Sequence, residues 1–233
     1  MKGKLAVISG FSGAGKGTVI RKLMETHEGY VLSVSMTTRK PRKGETDGVE
    51  YHFVTNEAFE ELLEKDGFLE HAGFVDHYYG TPKAFVEENM AAGRDVLLEI
   101  EVQGAMQIRK LYPDAVLIFV APPDAEELEK RLSGRETENA ETVTKRLVQA
   151  ATEVKSVPDY DYLVINDQVD ACAEALNRII RGKGDCTGTG AEPESKEAPE
   201  GGRVFTDDVK MKSMSGDFQI GLTEIIARRG AGL

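Results

Sequence analysis

The stretch Gly10-Phe11-Ser12-Gly13-Ala14-Gly15-Lys16-Gly17-Thr18 restricts the fold of this chain more than any other. The apolar run Leu5-Ala6-Val7-Ile8 precedes it. Thr18 to Met24 follows, with helix-forming composition and apolar residues at Val19, Ile20 and Leu23. Strand, glycine loop and helix together are the context in which such a pattern becomes a phosphate cradle. The glycines permit a tight turn that brings several backbone N–H groups onto one anion. The helix N-terminus adds its partial positive charge. Lys16 can then reach the outer phosphates of a nucleoside triphosphate. The stretch departs from the pattern G-x-x-x-x-G-K-[ST] at one place: Gly17 replaces the hydroxyl residue, and Thr18 follows it.

The 233 residues suit one domain, or one domain with an appendage. The formal charge of −11 argues against a broad nucleic-acid footprint and is compatible with a local cationic cleft. Cys172 and Cys186 suggest neither a disulfide framework nor a zinc site. The N-terminus lacks a signal-peptide pattern, and no apolar run approaches the ~20 residues that a membrane helix needs. The expectation is a soluble, cytoplasmic protein without nucleic-acid or membrane partners.

Along the chain, Lys4–Ser9 reads as a strand, the loop and its helix follow, and Tyr30–Ser35 reads as a second strand. This β-loop-α-β unit builds parallel sheets. Met36–Glu45 is basic, hydroxyl-rich and broken by proline, with Arg39, Lys40, Arg42 and Lys43 together in an acidic protein. It follows the C-terminal end of strand two, where open α/β sheets bind ligands. It is therefore a candidate second anion site, since guanidinium forks suit phosphate. Gly48–Val54 and Phe68–Tyr79 read as small antiparallel strands around a helix at Asn56–Lys65. Together they form a small subdomain, about 35–81, that closes over a substrate. Further on, Pro82–Ala92 and Gly104–Leu111 read as helices, and Asp95–Val102 and Ala115–Ala121 as buried strands. Asp124 caps a helix at Ala125–Leu132, Glu141–Ser156 is a further helix, Tyr162–Ile165 a fifth strand, and Val169–Arg181 the last core helix. Gly182 to Gly202 has almost no apolar residues and reads as a disordered linker. The tail, 203–233, has no assigned role; it could make a short amphipathic helix from Phe218 to Ile226, and either docking on the core or a partner or disorder is compatible with it.

Two further groups carry chemistry. Glu99 and Glu101 lie at i and i+2 of the Asp95–Val102 strand, so they share a face near the phosphate loop and can hold Mg²⁺ through water. Arg131, Arg135 and Arg146 sit in a charged helical hairpin. Arg131 and Arg135 share a helix face only if the helix continues through Gly134. Phosphoryl transfer needs positive charge around the transferred group, and arginines on a mobile lid supply it.

From about Lys4 to Gly182 the sequence resembles guanylate kinases. The resemblance rests on Gly10–Thr18, Ser33–Arg42, Gly48-Val49-Glu50-Tyr51-His52-Phe53, Tyr78-Tyr79-Gly80-Thr81, Leu98–Gly104 and Arg131-Leu132-Ser133-Gly134-Arg135. It implies a three-layer α/β P-loop kinase with a five-stranded parallel core sheet, a mixed β/α GMP-binding subdomain and a helical lid at about 125–156, within residues 1–182. It implies the reaction ATP + GMP ⇌ ADP + GDP, with dGMP as a further acceptor and Mg²⁺ as cofactor. ATP would lie on Gly10, Phe11, Ser12, Gly13, Ala14, Gly15, Lys16, Gly17, Thr18 and Asn166. The GMP phosphate would lie on Arg39, Arg42, Tyr51 and Tyr79, and the guanine on Glu70, Ser35 and Thr81, with Glu99 serving the acceptor. Lys16, Arg39, Arg131, Arg135 and Arg146 would be catalytic, and Thr18, Glu99 and Glu101 would serve the metal through water. Phe11 departs from the family's usual proline, Gly17 from its hydroxyl residue, and Glu101 from its frequent aspartate. A non-catalytic peptide-binding module and a kinase for another phosphorylated small molecule are the alternatives. A homo-oligomer is left open.

Overall fold

The computed structural model describes residues 2–42, 44–74, 76–134, 140–182, 203–206 and 208–230. In chain order the elements are β1 (Leu5–Gly10), α1 (Lys16–Thr26), β2 (Tyr30–Ser33), β3 (Met36–Thr37), β4 (His52–Phe53), α2 (Asn56–Glu64), β5 (Phe68–Phe74), β6 (His77–Pro82), α3 (Lys83–Ala91), β7 (Asp95–Glu99), α4 (Val102–Leu111), β8 (Val116–Ala121), α5 (Ala125–Ser133), α6 (Ala140–Glu153), a 3₁₀ segment (Val154–Asp159), β9 (Tyr162–Ile165), α7 (Val169–Arg181), β10 (Val204–Phe205) and α8 (Asp208–Arg228). The fold is α/β with mixed sheets. It divides into two units, Met1–Val7 with Glu28–Val116 and Ile8–His27 with Leu117–Leu233, and the division falls within β1.

In the first unit, β2 pairs in parallel with β7, Tyr30 facing Asp95 and Ser33 facing Leu98. The start of β1 neighbours β7. Val96 N–H donates to the Lys4 carbonyl at 2.8 Å, and the Asp95 carboxylate accepts from Lys4 N–H at 2.8 Å. Val96, Leu97 and Leu98 are buried, as the apolar run requires of a strand covered on both faces. A second sheet has the order β4-β3-β6-β5. Its β5–β6 hairpin is antiparallel and sets Glu70 opposite Thr81. Thr55 caps α2 by accepting from Ala58 N–H at 3.2 Å. Phe59 of α2 is buried and stacks on Phe68, with ring centroids 4.3 Å apart.

In the second unit, the end of β1 neighbours β8, which pairs in parallel with β9. The β8 residues from Leu117 to Ala121 are buried, as their wholly apolar sequence predicts. Asp124 caps α5, as expected, by accepting from Glu127 N–H at 2.7 Å. The strongly amphipathic α7 buries Cys172, Ala173, Leu176 and Ile180, packs on α1, and stops at Gly182 with φ 69°. That positive φ is one that glycine adopts without strain.

The five expected strands all form, with several corrections. The strand read as Tyr30–Ser35 ends at Ser33, and the chain crosses into the second sheet as β3. Within Gly48–Val54 only His52–Phe53 is a strand, and it pairs with β3 in parallel, not antiparallel. The strand at Asp95 ends at Glu99. An unexpected strand, β10, pairs antiparallel with β9 through Val204–Val164 and Phe205–Leu163. Residues 183–202, read as a linker, lie outside the described residues.

The tail helix is longer than the sequence pattern indicates and docks on the core, one of the two alternatives left open for it. It runs from Asp208 to Arg228 and buries Met211, Phe218, Leu222, Ile225 and Ile226. That spacing follows the helical period. The helix packs on α5, α6 and the 3₁₀ segment, and the Arg229 guanidinium pairs with Glu129 of α5 at 2.6 Å. Leu222 is fully buried and Ile220 is 60% exposed on the same helix. Leu222→Ala should therefore destabilise the protein by about 2–5 kcal/mol in urea denaturation. Ile220→Ala should stay within about 0.5 kcal/mol. Equal, negligible effects would show that the tail helix is not part of the folded core.

Candidate functional site

The phosphate loop of the second unit is built by backbone that only glycine adopts easily. Gly10, Gly13 and Gly15 have φ of 142°, 90° and 87°. A side chain at Gly10 would overlap the Val120 carbonyl of β8, and one at Gly13 would press on Leu132 of α5. Helix α1 begins at Lys16, two residues earlier than its sequence pattern indicates. The Lys16 side chain is buried, and its Nζ donates to the carbonyls of Gly10 at 2.7 Å and Phe11 at 3.2 Å. Those acceptors offset the cost of desolvating an ammonium.

Three polar side chains from distant parts of the same unit converge on this loop. Asn166, buried at the end of β9, donates through Nδ2 to the Ala14 carbonyl at 2.7 Å. Arg131 of α5 donates through Nη1 to the same carbonyl at 3.3 Å and through Nη2 to the Asn166 carbonyl at 2.9 Å. Its Nε is held by Glu127 at 2.9 Å, one helical turn earlier. Arg146 of α6 donates to the Ser12 hydroxyl at 2.5 Å. The sequence places Arg131 on a lid, and in the structure it bonds to the loop and to its own helix. The sequence lets Arg131 and Arg135 share a face only if the helix continues, and α5 ends at Ser133 with Gly134 as its cap. Arg135 lies outside the described residues.

The basic loop of the first unit is organised by an acid. Glu45 accepts from both terminal nitrogens of Arg39 at 2.9 Å each, and from Arg42 N–H at 2.6 Å. This forked pair favours the charged guanidinium and holds the Glu45 carboxyl below the usual carboxylate range. The Arg39 guanidinium also lies 5.4 Å from the centre of the Tyr51 ring, and Tyr51 meets Tyr79 edge-on at 5.8 Å. Burial, with Tyr79, Glu99 and Glu101 adding to it, pushes the Tyr51 phenol up to about 12. Tyr51 therefore keeps its proton at neutral pH and can donate it. Arg39, Tyr51 and Tyr79 thus stand together. Arg42 is exposed, and Ser35 lies at the strand crossing, where its carbonyl accepts from His52 N–H at 2.9 Å.

Glu70 and Thr81 are both buried, and the β5–β6 register makes them neighbours. The Thr81 hydroxyl donates to Glu70 Oε1 at 2.6 Å. Burial raises the Glu70 carboxyl above its ordinary range, against the lowering effect of Thr81. Gly104 of α4 faces this carboxylate closely enough that a Cβ there would overlap it. The helix can approach Glu70 only because residue 104 has no side chain.

For a metal, the reading placed Glu99 and Glu101 on one strand face. The structure corrects this: β7 ends at Glu99, and Glu101 is the N-cap of α4, with φ −72° and ψ 162°. Both carboxylates are exposed, and both lie near enough to act on Tyr51. Thr18 is exposed on the first turn of α1 in the other unit. Among the described residues no group of three or more His, Cys, Asp or Glu stands together as a metal cage. Cys172 is buried, and burial pushes its thiol up to about 12, which removes it as a nucleophile. No helix of the described residues is long and apolar enough to cross a membrane.

The sequence reading missed Glu45, Glu127 and Gly104. Glu127 could have been found as the i,i+4 partner of Arg131. Glu45 was visible as an acid within a basic run. Gly104 had only the faint signal of a glycine inside a helical pattern.

Comparisons with known proteins bear on both units. The family description "Guanylate kinase" matches residues 2–183. The chain is 50% identical over 180 residues to the guanylate kinase of Latilactobacillus sakei, covering 77% of this chain and 89% of that protein. It is 51% identical over 179 residues to that of Clostridioides difficile, covering 77% and 87%. A crystal structure of guanylate kinase from Anaplasma phagocytophilum superposes with a TM-score of 0.66 at 34% identity, covering 80% of this chain and 88% of that one.

The raised Glu70 carboxyl has a consequence for stability. The native state binds this proton more readily than the unfolded chain does. Its contribution is therefore fully present below the ordinary carboxylate range and is lost as pH rises through the raised value. Glu70→Gln, which keeps the acceptor for Thr81, should raise the melting temperature at neutral pH by about 2–4 °C. The gain should vanish in acid, as thermal denaturation at several pH values will report. A variant that is less stable at neutral pH than the parent contradicts this.

Proposed function

The chain belongs to the guanylate kinase family, and from that premise we propose how its residues divide the work of phosphorylating GMP with ATP. It is an enzyme of the reaction ATP + GMP ⇌ ADP + GDP. Gly10–Thr18 hold the ATP phosphates, with Lys16 as the positive charge on the outer ones. Arg131 and Arg146 stabilise the charge that spreads over the transferred group. Arg135 belongs with them by the sequence reading, and Asn166 secures the loop. The incoming nucleophile is an oxygen of the GMP phosphate, already ionised, so no strong general base is required. Direct in-line transfer then depends on positioning and on charge neutralisation.

The acceptor is held through two different chemistries. Arg39, Arg42 and the hydroxyls of Tyr51 and Tyr79 donate to its phosphate. Glu70, Ser35 and Thr81 read the base. Guanine presents N1–H and N2–H₂ as adjacent donors, which a carboxylate accepts together, and adenine cannot supply that pair. The observation that carries this reading is the buried Glu70 carboxylate bonded to Thr81. A buried acid left without its guanine partners is costly, so the wrong base is rejected by the groups it leaves unsatisfied. The same contacts accept dGMP, since none of them involves the 2′-hydroxyl.

Mg²⁺ accompanies ATP in this reading and offsets charge on the phosphate oxygens. Thr18, Glu99 and Glu101 are hard oxygen donors suited to it through water, in keeping with a cation that retains several waters and binds few protein ligands.

Two outcomes test the assignment. Lys16→Ala should lower kcat by about 100-fold or more with little change in melting temperature, since its loss removes transition-state charge stabilisation. Near-parental turnover would remove Lys16 from the chemistry. In a panel of GMP, dGMP, AMP and UMP with ATP and Mg²⁺, kcat/KM should favour the guanine nucleotides by about 10⁴-fold. Comparable rates with AMP would reject the role given to Glu70 and Thr81.

A further inference from the structure

The tail helix reaches the phosphate loop. Phe218 of α8 is buried and stacks on Phe11, with ring centroids 4.8 Å apart and planes at 23°. Phe11 also meets Phe119 of β8 edge-on at 5.0 Å, and Phe119 in turn meets Tyr160 at 5.2 Å. The Phe11 ring is therefore fixed between β8 and α8, and it is only 1% exposed. Its backbone is part of the cradle: the Phe11 carbonyl accepts from Lys16 Nζ at 3.2 Å and from Ala14 N–H at 3.0 Å. Movement of the ring therefore changes where the loop turns and where the lysine is held.

The same helix also braces the two elements that bring arginines to the loop. Gly221 comes so close to Ala125 of α5 that a Cβ there would press on it, and Arg229 pairs with Glu129 of α5 at 2.6 Å. The helix packs along α6, which carries Arg146. Residues 203–230 lie outside the family match, which stops at residue 183.

We propose that Phe218, delivered by the C-terminal helix, is a positioning residue for the ATP-phosphate loop, acting through the Phe11 ring. This rests on the reading of Gly10–Thr18 as the ATP cradle. Phe218 touches no substrate. It sets the loop on which the ATP phosphates and Lys16 depend, and leaves the acceptor residues of the other unit unaltered. Its loss should therefore appear on the ATP side of the kinetics and not on the GMP side.

The experiment uses the full-length chain and measures KM for ATP, KM for GMP, kcat and melting temperature, with assays well below each variant's melting range. Phe218→Ala should raise KM for ATP roughly five- to twenty-fold, with KM for GMP within about two-fold of the parent. Phe218→Leu, which keeps apolar bulk without the ring, should raise KM for ATP about three-fold, less than Phe218→Ala does. Ile220→Ala, on the exposed face of the same helix, should match the parent. In a Phe11→Leu background, Phe218→Leu should shift KM for ATP by much less than it does alone, because the two rings act as one unit. Should Phe218→Ala fail to fold, Phe218→Leu and the double variant carry the same readout. The inference is overturned if both KM values rise together, or if stability falls while KM for ATP stays at the parental value. A Lys16→Ala enzyme that keeps its activity would instead overturn the cradle reading on which the inference stands.

Discussion

The close approach of Gly10 to the Val120 carbonyl is the constraint on which the rest of the phosphate site depends. With a positive φ and no side chain, Gly10 lets β1 end flush against β8 before the chain turns. Gly13 brings the next turn onto Leu132, and Gly15 brings the last onto the Asn166 amide. Each glycine thus seats the loop against a different element: a strand, a helix and the residue that follows β9. The loop carbonyls are then gathered by Lys16, Asn166 and Arg131. A rigid loop at the start of α1 is what electrostatic stabilisation of a phosphate demands, because dipoles already in place need not reorganise during the reaction.

The charged groups of both units share one arrangement. Three of the arginines that are given a phosphate-facing role are oriented by a protein partner: Arg39 by Glu45, Arg131 by Glu127 and Arg146 by the Ser12 hydroxyl. A guanidinium has five N–H donors in a fixed fork. Arg131 uses one on Glu127, one on Ala14 and one on Asn166, so orientation is fixed and donors remain for an anion. An acidic chain can therefore bind two highly charged nucleotides without a basic surface. Glu70 follows the opposite logic. Its desolvation works against stability at neutral pH, and in the role proposed for it that cost makes a base without paired donors a poor fit.

Much of this was legible in the sequence because it follows from local chemistry. The apolar run of β8, the Asp124 cap and the glycine loop each state their conformation within a few residues. Glu101 was misread because Ile100 continues the apolar pattern past the end of β7, and a two-residue period does not reveal where a strand stops. The bonds that Arg131 makes to the loop were not legible because the groups that accept them, the Ala14 and Asn166 carbonyls, are 117 and 35 residues away. The Glu70–Thr81 pair came from resemblance alone. Nothing in the local sequence fixes the hairpin register that sets the two side by side, and register is decided by the packing of the whole sheet. Gly104 was passed over for the same reason, since its meaning is the carboxylate it faces.

The tail shows how one residue choice in the loop can bind distant chain to the site. A phenylalanine at position 11 puts a large apolar ring on a loop that otherwise consists of small and polar residues. Phe119 meets that ring edge-on, and the ring is almost fully buried. Phe218 stacks on it from a helix whose buried face also includes Met211, Leu222, Ile225 and Ile226. Burying a ring of this size contributes roughly 1.5–3 kcal/mol, enough to favour a docked helix over a solvated one when the other apolar residues add to it. Gly216 and Gly221 weaken the helical signal of this segment in isolation. Docking against α5, α6 and the Phe11 ring supplies what propensity does not. The loop residue and the tail helix are therefore one packing problem, solved together, and its solution passes through the carbonyl that holds Lys16.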